Sequence, residues 1–130
     1  MSPESDYWER WIAPLLAVLA ADPPDQMAWS RKHQVRTAAV AEEVKFSLRL
    51  AGGMTDRGHF GPAVLQDIKT ISQFCDDVVQ RGDFGHWEDA LQDDPAWEEI
   101  RTLARRILID RLGTWDQPLP RRVLPQRNDD

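Results

Sequence analysis

The chain has 130 residues, 42% hydrophobic and 29% charged, with a formal net charge of −6. That is enough chain for one domain with a proper core. The acidic balance argues against nonspecific nucleic-acid binding, which needs a basic stripe. One cysteine, Cys75, excludes an intramolecular disulfide and any Cys-based zinc site.

A first helix is expected over residues 5–20, with Ser5 as N-cap and Glu4, Asp6 and Glu9 near the positive end of its dipole. Trp8, Trp11, Ile12, Leu15, Leu16 and Leu19 recur at helical spacing, and Pro14 should kink the helix near Trp11. The apolar run 11–21 falls short of the roughly 20 residues that span a bilayer, so it reads as a core helix. The acidic opening Met1-Ser-Pro-Glu-Ser-Asp6 is unlike a secretory leader. With the lone cysteine, it leads to the expectation of a cytoplasmic protein.

After the turn at 22–25, one long helix is expected over 24–51, facing inward through Trp29, His33, Thr37, Val40, Val44, Leu48 and Ala51 and ended by Gly52-Gly53. It also carries Arg31, Lys32, Arg36, Lys45 and Arg49, which are expected to pair in part with acids elsewhere. A third helix should start at Pro62, bury Leu65, Ile68, Ile71, Cys75 and Val78/Val79, and stop near Arg81-Gly82. A short helix is expected over 86–91. Asp94-Pro95 then signals a cap and start for a last helix with Trp97, Ile100, Leu103, Ala104, Ile107 and Leu108 inward, closed by Gly113. No strand or hairpin pattern occurs. The expected fold is all-α: an antiparallel bundle of four main helices plus one short helix over 1–113. Residues 114–130, with Pro118, Pro120 and Pro125, read as a mobile tail. Trp8 and Trp115 are the tryptophans expected to be open to a partner.

The densest chemical signal is the stretch 76–99. It holds nine acids and one base, Arg81, a local charge of −8 that leaves the rest of the chain at +2. Asp83, Glu88, Asp89, Asp93, Asp94 and Glu98 are the candidate partner-binding residues. Such a cluster suits a basic protein partner, because opposite charge steers association and can occupy a basic cleft. A nuclease-type toxin, with this chain as its inhibitor or immunity protein, is the partner class expected. Neither nucleic acid nor membrane is expected as partner.

His33, Arg36, Asp76, Asp77 and His86 form a second candidate convergence, which an antiparallel hairpin would bring to one end of the bundle as a polar pocket for a small helical enzyme or ligand-binding bundle. Known catalytic patterns do not fit. Glu42-Glu43 is half of the EExxE pattern by which all-helical nucleotide pyrophosphohydrolases hold magnesium, but Phe46 stands at the third acid and Gln73 takes the place of the partnering Glu. Arg81 and His86 have the RxxxxH spacing of helical HEPN-type ribonucleases, but Gly82 and Gly85 break the helix that spacing requires. There is no HExxH, GxSxG or phosphate-cradling glycine loop. The sequence therefore points to no catalytic residue, no metal ligand set and no cofactor.

Overall fold

The computed structural model describes residues 8–58, 61–81 and 85–120. These form a π-helical turn, Trp8–Ile12, and six helices: α1 (Ala13–Ala20), α2 (Pro23–His33), α3 (Thr37–Asp56), α4 (Pro62–Arg81), α5 (Trp87–Asp93) and α6 (Ala96–Leu112). No strand occurs among the described residues. The principal packing is α3 on α4, α1 on α6 and α4 on α6, with α2 set against α5. One continuous core runs through all of them, from Ile12 and Leu15 through Val44, Met54, Ile71 and Trp87 to Ile100 and Leu108. None of the described helices is long and apolar enough to cross a membrane.

The proline and glycine signals act where local chemistry is unopposed. Pro14 and Pro23 lie in first turns, where a missing N–H costs no helical bond. Pro14 marks the change from the wide π turn to regular α1. Gly113, with φ 84°, provides the left-handed residue that ends α6. The N-cap expected at Ser5 lies outside the described residues.

Three expectations require correction. The long second helix is two helices, broken at 34–36. Gln34 takes a left-handed conformation (φ 53°) and its N–H bonds back to the last turn of α2. The segment beyond it is engaged across the fold. Trp87 N–H donates to the Val35 carbonyl and Thr37 N–H to that of Gly85, both at 2.9 Å, forming an isolated antiparallel bridge between Arg36 and His86. Gly52-Gly53 does not end α3, which continues to Asp56 and buries Met54. Glycine costs only about 1 kcal/mol per helical position, less than the roughly 1.5–3 kcal/mol from burying a methionine. Val79, expected inside, is exposed, while Val78 is wholly buried.

The C-terminal segment also differs from expectation over its described part. Trp115 and Leu119 pack against the core. Trp29 Nε1–H donates to the Pro120 carbonyl at 2.8 Å. Residues 114–120 thus lie on the domain, and residues 121–130 are outside the described part. Neither tryptophan expected to be open is fully so: Trp8 is buried with the Arg111 guanidinium 4.8 Å from its ring, and Trp115 is half-buried with Arg105 at 3.6 Å.

Side chains from far along the chain finish α1. The last carbonyls of a helix have no partner within it. Here Gln26 Nε2 donates to the carbonyls of Val18 and Leu19 at 3.0 and 2.9 Å. Arg105 Nε donates to that of Ala20, and Arg101 Nε to that of Ala21. Arg101 also holds Gln26 Oε1 at 2.6 Å, and Arg105 reaches Asp22 at 2.8 Å. Two cations at a helix C-terminus also complement its dipole. Burial, and then the adjacent Arg105 charge, lower the Arg101 pKa below its ordinary value.

Candidate functional site

The acids of 76–99 fall into two groups. Some are consumed within the fold. Glu88 on α5 pairs with Arg31 of α2 at 3.0 Å, and Asp76 on α4 with Lys45 of α3 at 3.1 Å. These pairs are the expected internal match between the bases of 24–51 and the acidic stretch.

Asp94 is also consumed. Expected at the surface, it is 6% exposed. Arg81 Nη2 donates to its two carboxylate oxygens at 2.8 Å each and Arg81 Nε adds a bond at 3.2 Å. Its Oδ1 accepts the Ala96 N–H at 2.9 Å, so the same carboxylate opens α6. Asp94 therefore joins the end of α4 to the start of α6, and leaving either group unpaired there is costly. It is removed from the set of open acids. Asp83 lies outside the described residues.

The remaining acids surround the α5–α6 corner. A groove of about 620 Å³ is lined by Phe74, Asp77, Arg81, Asp93, Asp94, Pro95, Ala96, Glu98 and Glu99. A second, of about 460 Å³, is lined by Pro23, Leu91, Gln92, Asp93, Asp94, Pro95, Trp97, Glu98 and Arg101. The two share residues 93–95 and Glu98, so the corner stands between them. Asp93, Glu98 and Glu99 are exposed and have no ion-pair partner among the described residues. Asp77 accepts a hydrogen bond from Gln73 at 3.1 Å within α4. Asp89 is exposed on α5. Sequence reasoning missed Asp77 and Glu99 as groove acids and Phe74 as the apolar wall. The fourfold spacing from Asp77 to Arg81 on α4 was the available signal, because it places both at the helix end that meets α6.

The five residues of the expected polar pocket do not form one cluster. His33, at the end of α2, packs its ring against Trp29 with centroids 4.9 Å apart. Arg36 and His86 meet through the backbone bridge, and the Arg36 guanidinium lies over Gly85. Asp76 faces Lys45, and Asp77 faces the acidic groove. Among the described residues no three His, Cys, Asp or Glu side chains stand close enough to hold one metal ion. The break at 34–36 separates the faces that a continuous helix would have aligned. Cys75 is buried, and burial pushes its thiol from 9.0 up to about 12, with Asp76 adding to the effect. A thiol so held is neither nucleophile nor ligand at neutral pH.

The arrangement around the corner can receive cations. Carboxylates in two adjoining grooves, beside the Phe74 ring and Pro95, match the side chains of arginine and lysine: apolar stems against the apolar wall, charged heads against oxygens. No family model matches the chain, and neither do any of the curated proteins or solved structures compared with it.

Proposed function

We propose that this protein is a non-enzymatic binding protein whose α5–α6 corner docks on a basic protein partner. The observation that carries the reading is the pair of grooves flanking 93–95. Asp93, Glu98 and Glu99 line them exposed and outside any ion pair among the described residues, with Arg81 held by Asp94 and Arg101 by Gln26 and the Ala21 carbonyl, while neighbouring acids of the same stretch are neutralised. Packed acids that repel one another cost the isolated fold stability, and a cationic partner would relieve that cost. The longer helices serve as an antiparallel scaffold, and the short α5 carries the corner. The partner class that fits is a basic-cleft protein such as a nuclease-type toxin, with this chain as its cytoplasmic inhibitor or immunity protein.

The test is a salt series of binding to a fluorescent octa-arginine peptide, comparing the native chain with the triple variant Asp93→Asn, Glu98→Gln, Glu99→Gln. The variant should keep its helical circular dichroism and bind at least about tenfold more weakly at low salt, with a shallower salt dependence. Equal affinity and equal salt slope in a folded variant would refute the reading.

A further inference from the structure

The two backbone hydrogen bonds that fasten the break between α2 and α3 set Arg36 directly opposite His86. Both bonds are made by flanking residues, so this is the close, non-hydrogen-bonded kind of antiparallel pair, whose side chains leave the same face as neighbours. Both side chains belong to exposed residues, and neither has an ion-pair partner among the described residues. The Arg36 guanidinium lies 3.4 Å from where a Cβ on Gly85 would stand, and Gly85 has φ 66°. Glycine at that position lets the guanidinium lie against the chain.

Arg36 is also the N-cap of α3. An N-cap residue usually covers the first amides with a side-chain oxygen. Arginine has none, and no side-chain cap forms. The first turn contains no acid, so the positive end of this 20-residue helix is uncompensated there. Thr37 N–H donates to the Gly85 carbonyl, and Ala39 and Val40 donate to that of Arg36. The Ala38 N–H has no hydrogen-bond partner among the described residues, and Ala38 is exposed. A further donor stands at the same end. Thr37 is 5% exposed, and its Oγ1 lacks a hydrogen-bond partner among the described residues. Helical side chains lean towards the N-terminus, so this hydroxyl, on the first residue of α3, leans to the uncovered end. A buried hydroxyl left unpaired is costly, and an oxyanion seated there supplies its acceptor.

We infer that the start of α3 is a binding site for a phosphoryl group, held by the Arg36 guanidinium, the His86 imidazole and the Ala38 amide, with the Thr37 hydroxyl behind them. A guanidinium fork beside free helix amides is suited to phosphate oxygens. Three donor groups match the three free oxygens of a phosphomonoester better than the two of a carboxylate. The site stands at the opposite end of α5 from Asp93, about 10 Å away along the helix, and does not rest on the function proposed for the acidic corner. A small phosphorylated molecule and a phosphorylated side chain share this chemistry, and the probes separate them.

The experiment uses the full chain, ¹⁵N-labelled, at constant pH and ionic strength. The probes are phenyl phosphate and the peptide Ala-Ala-phosphoserine-Ala-Ala, with benzoate and the unphosphorylated peptide as controls. The Ala38 amide and His86 imidazole signals should shift saturably with the phosphorylated probes and not with the controls. Tighter binding of the peptide assigns the group to a protein, and tighter binding of phenyl phosphate to a small molecule. Ala38→Pro removes the free donor alone, and α2 itself opens with Pro23 and Pro24, so proline is compatible with a helix start in this fold. It should weaken phenyl phosphate binding by at least about fivefold. Arg36→Gln should weaken it by at least about tenfold, whereas Lys69→Gln, which removes an exposed charge on α4, should leave it unchanged. If Arg36→Gln loses its helical circular dichroism, Arg36→Lys, which keeps the charge and loses the fork, takes its place. The inference is overturned if the native chain shows no saturable shift at Ala38, if benzoate shifts it equally, or if the folded Arg36 and Ala38 variants bind phenyl phosphate as the native chain does.

Discussion

Asp93 and Asp94 are adjacent in sequence, carry the same charge, and stand at the same corner of the fold. Asp93 is exposed between two grooves, whereas Asp94 is buried under a forked Arg81 and bonded to the first amide of α6. One residue of chain separates an acid available to a partner from an acid that holds two helices together. A run of like charges in a sequence therefore describes two populations, and only tertiary structure sorts them.

Four measurements would break or sharpen that contrast. The largest effect belongs to the apolar core and sets the scale. Ile71 is 1% exposed, so Ile71→Ala should cost about 2–5 kcal/mol in urea unfolding. Asp94→Ala should follow at about 2–3 kcal/mol, the sum of a lost cap and a broken pair. It falls short of a fully buried pair because the Arg81 side chain is half exposed. Asp94→Asn, which keeps the acceptor for Ala96 and loses the charge, should lie between Asp94→Ala and the native protein. If Asp94→Ala is neutral, the corner is not held by this carboxylate.

Cys75 provides an ionisable group that is buried without a cationic clamp. Its folded pKa, about 12, is raised above the ordinary 9.0. The folded thiol keeps its proton while the unfolded thiol loses it. The resulting contribution to stability is complete below pH 9.0 and disappears as pH rises towards about 12. Urea midpoints should fall across that window, and Cys75→Ala should flatten the fall. The smallest effect is expected at Asp93, where Asp93→Asn should change stability by less than about 0.5 kcal/mol in either direction. A cost near that of Asp94→Ala would erase the distinction between the two residues.

The all-helical fold was legible because apolar spacing and terminal prolines are local signals, and Pro62, Pro23 and Gly113 act as such. The break at Gln34 was not. Glutamine is no left-handed specialist, and the interruption is fastened by amides about 50 residues away. Gly52-Gly53 misled for the converse reason: a weak local stop yields to the burial of Met54 one residue later. Among the site residues, the cap at Asp94-Pro95 could be read, but its clamp by Arg81 could not, since the two are 13 positions apart with α5 between them. Of the expected polar pocket, Arg36 and His86 do meet, but through backbone at the helix break, while His33 packs on Trp29 and Asp76 faces Lys45. The docked arm was hidden by its prolines, whose composition suggests freedom while Trp115 and Leu119 supply the contacts.

The end of α1 has a consequence in time. Its closing groups, the carbonyls of Ala20 and Ala21, wait for arginines 85 and 80 residues further on. A ribosome adding about 5–20 residues per second needs about 4–17 s to make that length. For that interval α1 stands without its final partners, its apolar face uncovered by α6. Completion of α1 is thus set by the synthesis of α6, and a pause in translation before Arg101 would lengthen the period in which a chaperone, or a stray hydrophobic surface, could claim it.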